Sequence, residues 1–188
     1  MPRSPVSNAA AATGSSGRIR ASTSGTRHRR AVIGHDGTME EISLRSPAFA
    51  DNGPIPPEYS HESGDLSPEL RWSGVPAACL ELVLTCVDPD APGGTFVHWM
   101  LGGIPPERGG LAAGEERPRI ARGRNDYGDN GYGGPHPPPG DPPHRYVFTL
   151  YALRGPSGLT SGFSADDLRA SLKDDVLASA TLMGTYAR

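Results

Sequence analysis

The sequence is poor in lysine and cysteine: Lys173 is the single lysine, and Cys79 and Cys86 are the two cysteines, among 188 residues. It also lacks any apolar run of about 18 residues, which excludes a membrane-spanning helix. Two cysteines are too few for a disulfide framework. They stand seven positions apart in a segment that reads as a strand. At about 3.3 Å per residue that separates them by roughly 23 Å, on opposite faces. A bridge needs Cα atoms within about 7 Å. Two free thiols and a reducing, cytoplasmic compartment are therefore expected. A secretory signal would need an apolar core of about 7–15 residues behind a basic start. The four alanines at 9–12 are too short and too weakly apolar for that.

What the sequence does have is glycine and proline, 25 and 20 of them, about twice the usual share. That argues for a loop-rich fold and against a helical bundle. Charge is unevenly placed. Residues 1–38 carry six arginines against one acid, Asp36, whereas residues 39–188 carry a net charge of −8, giving −3 overall. That balance argues against a globally basic nucleic-acid binder. The head, residues 1–38, is Ser, Ala, Gly, Thr and Arg with Val6, Ile19, Val32 and Ile33 as its few large apolar residues. Ordering each residue costs about 1–2 kcal/mol of backbone entropy. With nothing to bury against that cost, the head is expected to be disordered. The cluster Arg27-His28-Arg29-Arg30 reads as a solvated tail, with contact to nucleic acid or anionic lipid as the sharper alternative. Periodic patterning begins just after Met39, which makes Met39 an alternative start. One domain, residues 39–188, remains.

Within it, Glu41–Phe49 reads as a short strand running into a loop, and Leu66–Trp72 as a turn followed by a brief strand. In the segment 80–87, Leu80, Leu82, Leu84 and Cys86 share one face, with Val83 and Val87 apolar on the other. That is a strand buried on both sides. Residues 95–104 and 145–153 read as two more. One helix stands out. Ser164-Ala165-Asp166-Asp167 has capping-box spacing, with Asp in place of Glu or Gln. Leu168, Leu172 and Val176, beside Leu177, continue it as an apolar stripe. Gly184 lies beyond, before a last extended piece at Thr185-Tyr186. Many strands and one late helix predict a mostly-β domain of sandwich type.

Three spots gather polar residues at strand ends. Asp88-Pro89-Asp90-Ala91-Pro92 follows the doubly buried strand. Its carboxylates stand two residues apart, roughly 7 Å, on a proline-stiffened backbone. A solvated turn is the plainer reading. His98, between Phe96-Val97 and Trp99, is partly desolvated, which disfavours imidazolium, while a nearby carboxylate would favour it. The plainer reading is a core histidine. The run from Gly131 to Tyr146 has glycines that let backbone amides approach a ligand and prolines that stiffen the loop. It delivers His144 to the next strand. A polyproline docking segment or a rigid loop are the alternatives.

Taken in order, Ser67-Pro68-Glu69-Leu70-Arg71-Trp72, Asp88-Pro89-Asp90-Ala91-Pro92, His98-Trp99, Asn125-Asp126-Tyr127-Gly128, Gly131-Tyr132-Gly133-Gly134-Pro135 and His144-Arg145-Tyr146 resemble the phosphatidylethanolamine-binding protein family. That group includes Raf kinase inhibitor protein, and the nearest likeness is to its bacterial Raf-kinase-inhibitor-like (YbhB/YbcL) branch. The resemblance implies a β-sandwich with a small anion-binding pocket at one end. Carried over, the polar wall is Asp88, His98 and His144. Asp90 and Tyr146 support it, and Tyr132, Pro138 and the Gly133-Gly134 backbone form the rim. It implies a cis Ala91–Pro92 peptide, no metal and no cofactor. Three features depart from the family pattern. Lys173-Asp174-Asp175 puts two acids on the expected helix and is expected to alter the surface near the pocket. Gly102-Gly103 is expected to widen the entrance. His136, Pro139 and Pro142-Pro143 make the ligand loop unusually proline-dense.

The chemistry agrees with a small anion. Imidazoles and turn amides can donate hydrogen bonds. Asp88 would repel an anion unless it holds a histidine proton, so it is assigned as a histidine's charge partner. The expected function is capture of phosphate, a phosphoryl head group or a carboxylate, in a regulatory role. An isomerase or hydrolase using Asp88, Asp90, His98 and His144 as acid and base is the alternative. A two-histidine, one-carboxylate metal site ranks last.

Overall fold

The computed structural model describes residues 32–33, 39–115 and 119–188. Two antiparallel dipeptide strands, β1 (Val32–Ile33) and β2 (Met39–Glu40), form a ribbon of their own. The expected boundary at residue 38 falls inside that ribbon, and residues 1–31 with the Arg27–Arg30 cluster lie outside the described residues. Next come β3 (Ser43–Arg45), β4 (Gly53–Pro54), two single-turn 3₁₀ helices (Pro57–Tyr59 and His61–Ser63) and β5 (Leu70–Ser73). The long strands are β6 (Glu81–Asp88), β7 (Phe96–Ile104) and β10 (His144–Leu153). Between β7 and β10 lie β8 (Gly110–Leu111) and β9 (Ala121–Arg122). Helix α1 (Ala165–Leu172) and β11 (Val176–Tyr186) close the chain.

These strands build two sheets, β4-β11-β10-β6-β7-β9 and β3-β5-β8, antiparallel throughout except for the β4–β11 pair. The expected mostly-β sandwich with a late helix is what forms. Alternation explains the layers. Leu82, Leu84 and Cys86 of β6 and Tyr146, Phe148 and Leu150 of β10 face the small sheet, where Leu44, Leu70 and Trp72 meet them. Val83, Met100 and Leu153 face the other way, under Phe163 and Leu168 of the helical segment. The large sheet is thus buried on both faces, and so its central strands read as nearly continuous apolar runs.

Five expectations need correction. Leu80 does not join the β6 face: it precedes the strand and is 64% exposed. Cys79 also precedes β6, in a turn, so the two thiols share one core instead of opposing each other; both are free. The helix stops at Leu172, because Asp174 takes a left-handed conformation (φ 67°) and turns the chain. Val176 and Leu177 then open an 11-residue strand instead of a further helical turn. The acids at 174 and 175 therefore sit on a turn that pairs with Arg154, at the end of β10 remote from His144. Gly102-Gly103 lies at the far end of β7 from His98, with Gly102 packed on Leu159 and Gly103 (φ 71°) donating its amide to Glu81, so it does not shape that entrance. Among the described residues no helix is long and apolar enough to cross a membrane, and no group of three or more His, Cys, Asp or Glu is placed to hold a metal ion.

Candidate functional site

β6 and β10 run antiparallel with Val87 opposite Val147. Asp88, last in β6, and His144, first in β10, therefore end side by side on the sandwich face. Both are buried, and Asp88 Oδ2 accepts a hydrogen bond from His144 Nδ1 at 2.7 Å. The other oxygen, Oδ1, accepts from the Asp90 amide at 2.8 Å and so fixes the carboxylate. Asp141 Oδ2 approaches His144 Nε2 at 3.6 Å. Burial pulls the His144 pKa down, but the Asp88 hydrogen bond and charge, with Asp141 behind them, override it and raise the pKa.

His98 reaches the same place by a different device. Cys86 faces Trp99 and Val87 faces Val97, so His98 is the extra residue of a β-bulge. A bulge re-aims a side chain out of strict alternation. His98 and Trp99 are consequently both buried. The Gly133 carbonyl lies 2.7 Å from His98 Nδ1. A carbonyl can only accept, so Nδ1 carries the proton and the neutral ring presents a lone pair at Nε2. Burial lowers the His98 pKa, outweighing the Gly133 carbonyl and the Asp88 charge. The two histidines are thus driven in opposite directions.

Tyr146 stands two residues along β10 from His144. Its ring meets the His98 ring edge-on at 5.0 Å, and it is 1% exposed. Its hydroxyl proton finds no acceptor among the described residues, while the His136 backbone amide lies close enough to act on its oxygen. Burial, with Asp88 nearby, pushes the phenol far up, so the group stays a donor. Buried polar atoms without partners are uncommon and costly. An unsatisfied donor beside a lone-pair-bearing imidazole is a place for one more polar molecule.

The other expected residues serve this cluster indirectly. Asp90 grips Arg145 at both ends, Nε to Oδ2 at 2.9 Å and Nη2 to Oδ1 at 2.6 Å, and also accepts the Arg145 amide at 2.9 Å. The guanidinium and the amide hold its carboxyl at about 2. Asp90 therefore fastens the acidic turn to the start of β10. The Ala91–Pro92 peptide in that turn is trans, as is every described peptide. Trans is the form an X–Pro bond favours by about 0.5–1 kcal/mol unless its surroundings select the other.

Tyr132 packs edge-on against Trp99 at 5.3 Å and donates to the Tyr59 carbonyl at 3.0 Å. Pro138 is half-buried in the same loop, its carbonyl accepting the Asp141 amide at 3.3 Å. The glycines act by compactness rather than by offering amides. Gly133 donates to the His98 carbonyl and Gly134 to Asp65 Oδ1 at 2.7 Å, so both amides are already engaged. A Cβ on Gly134 would lie 2.4 Å from the Tyr59 carbonyl oxygen.

One part of the site had no signal in the chain. His61 stacks on Tyr127 at 4.4 Å and holds Asp65 at 3.0 Å, and His136 meets it edge-on at 5.2 Å. Phe96 and His98 also touch Tyr127. Arg188 reaches the same corner through Glu62 and His136. His61, Asp65 and Arg188 lie in irregular segments far apart in sequence, so neither periodicity nor spacing joins them. Phe96, His98, Tyr127 and His136 alone of this corner fell within segments singled out above.

The sequence and the fold both match known proteins. The family described as phosphatidylethanolamine-binding protein matches residues 45–187. A UPF0098 protein of Methanothermobacter thermautotrophicus is 41% identical over 152 residues, covering 78% of this chain and 99% of that protein. LppC of Mycobacterium tuberculosis, named as a lipoprotein, is 38% identical over 147 residues, covering 78% of this chain and 73% of LppC. The crystal structure of Escherichia coli YbcL, described as a member of the mammalian PEBP family, superposes with a TM-score of 0.73 at 30% identity, over 78% of this chain and 98% of that one. A strand-end cluster of Asp88, His98, His144 and Tyr146 on a two-sheet sandwich, together with these matches, establishes that the chain belongs to the phosphatidylethanolamine-binding protein family, in its bacterial YbcL-like branch.

Proposed function

We propose that the protein binds a small oxyanion, a phosphoryl or carboxylate group, against His98, His144 and Tyr146, and acts by capture or regulation rather than by turnover. The observation that carries this is the buried Tyr146 hydroxyl, a donor without a partner beside the uncommitted Nε2 of His98. Asp88 is acceptable in such a site because its charge is engaged by His144, which it orients. A neutral His98 offers a lone pair. The bound oxyanion must therefore bring a proton, as a phosphate monoanion does, or the ring must take one up.

A second reading rests on the same Asp88–His144 pair. A carboxylate orienting an imidazole is how a general base is held in place. In that case the cluster turns over a small substrate. The two unpaired thiols support a reducing, cytoplasmic setting. The relative LppC is named as a lipoprotein, which leaves a membrane-attached setting as the alternative.

Calorimetric titration with inorganic phosphate at pH 6 tests the proposal. Heat of binding that vanishes in His98→Ala supports it. A flat titration of the wild-type protein into the millimolar range would overturn it. Turnover of a small metabolite that is lost in His98→Ala while the metabolite still binds would favour the enzyme instead.

A further inference from the structure

Around the cluster the cations are already committed, with one partial exception. Arg145 is clamped by Asp90 through both ends of its guanidinium. His144 lies between Asp88 and Asp141. Arg188 is held differently. Its Nη1 lies 2.8 Å from Glu62 Oε1 and faces both ring nitrogens of His136, Nε2 at 2.7 Å and Nδ1 at 3.0 Å, of which the unprotonated one accepts from it. Its backbone carbonyl accepts the Gly140 amide at 3.2 Å. Arg188 thereby bridges the 61–65 loop and the 134–141 loop, the two segments that flank the Tyr127 and His98 rings.

The contact with Glu62 is weak by position, since that carboxylate is 54% exposed while the arginine side chain is 25% exposed. Exposed pairs of this kind contribute little and exchange partners readily. Arg188 connects to the cluster through His136, whose ring it holds and whose backbone amide acts on the Tyr146 hydroxyl, and through a chain of rings in which His136 meets His61, His61 stacks on Tyr127, and Tyr127 touches His98. Burial, then the Asp65 and Asp88 charges, push the Tyr127 phenol up to about 12 and Arg188 draws it back, so Arg188 acts on the same ring as these carboxylates.

We propose that Arg188 is a binding residue for a phosphate-class oxyanion, releasing Glu62 and turning its guanidinium onto the anion held by His98 and Tyr146. It supplies a permanent positive charge beside His98, whose Nδ1–H is spent on the Gly133 carbonyl, and His144, which is held between Asp88 and Asp141. A guanidinium suits the task because its planar donors match two oxygens of one oxyanion. This proposal rests on the oxyanion reading of the site and adds the residue that would set its affinity.

The test is calorimetric titration of inorganic phosphate into the full chain at low salt and pH 6, for wild type, Arg188→Gln, Arg188→Lys and Glu62→Gln. Melting temperatures and the His98 and His144 imidazole resonances verify that each variant keeps its fold. The expected result is a loss on the order of tenfold in phosphate affinity for Arg188→Gln, from the lost charge-assisted hydrogen bonds. A smaller loss is expected for Arg188→Lys, and tighter binding for Glu62→Gln, where the competing carboxylate is gone. Wild-type binding with Arg188→Gln within twofold of it, or weaker binding by Glu62→Gln, would overturn the role of Arg188 and leave the oxyanion site standing. Absence of phosphate binding by the wild type would end both.

Discussion

At the scale of single residues the site is set by what each polar atom lacks. The Tyr146 hydroxyl is buried and its proton finds no acceptor among the described residues, so it imposes a desolvation penalty that a bound acceptor relieves. Tyr146→Phe should therefore raise stability by about 1 kcal/mol in urea denaturation while weakening phosphate binding on the order of tenfold. Loss of both together would mean that the hydroxyl is satisfied in the free state. The histidines make the pH behaviour predictable. His144 has a raised folded-state pKa, so its contribution to stability is complete below about pH 6.5 and fades as pH climbs through the folded value. His98 has a lowered one, so its contribution holds above about pH 6.5 and fades as pH falls through the folded value. Imidazole titrations by NMR should show one curve on each side of the unperturbed value. Asp88→Asn removes the charge beside His144 with little change of shape. It should bring the His144 curve down and move phosphate binding to lower pH. A His144 curve that does not move in that variant would show that Asp141, not Asp88, sets it.

At the scale of elements, the same packing that makes the fold legible hides parts of it. The capping box at Ser164 is realised in full, with the Ser164 hydroxyl accepting from the Asp167 amide and Asp167 accepting from the Ser164 amide. Ser164→Ala should lower stability by about 1 kcal/mol, read as a shifted urea midpoint at unchanged slope. The doubly buried β6 was legible because Leu82, Val83 and Leu84 are apolar on both sides. β11 was not. Its buried positions include Ala178, Ala180 and Gly184, small residues whose alternation leaves little hydrophobic contrast, and Val176-Leu177 continued a helical period by coincidence. The site shows the same divide. Asp88, His98 and His144 lie on strands and sit within motifs that could be read. The bulge that turns His98 inward is a matter of register with β6, which no local pattern encodes. The glycine pair was legible as a requirement but not as a reason. Gly134 is needed because the 59–61 backbone lies against it, so Gly134→Ala should force the loops apart and destabilise by about 1–3 kcal/mol. A well-folded Gly134→Ala with unchanged melting would show that the loop yields without strain.

At the scale of the whole molecule, charge and site pull against each other. Residues 39–188 carry −8, yet the cluster is read as an oxyanion site; the head brings the chain back to −3. Part of the head's end, β1, pairs with β2 and with neither sheet, so it adds no strand to the core. A chain beginning at Met39 should accordingly melt within a few degrees of the full chain. Its phosphate binding should differ all the same. A domain of strong negative charge depletes anions near its surface, and removing six arginines deepens that depletion. The effect must depend on ionic strength, because the screening length falls from about 30 Å at 0.01 M to about 8 Å at 0.15 M. The shortened chain should therefore bind phosphate more weakly than the full chain at 0.01 M salt, and the gap should close by 0.15 M. Equal affinities at both salt concentrations would show that the head's charge does not act on the site. A gap that persists undiminished at high salt would mean that the head touches the ligand or its loops directly, and the melting temperatures of the two chains would then have to differ as well.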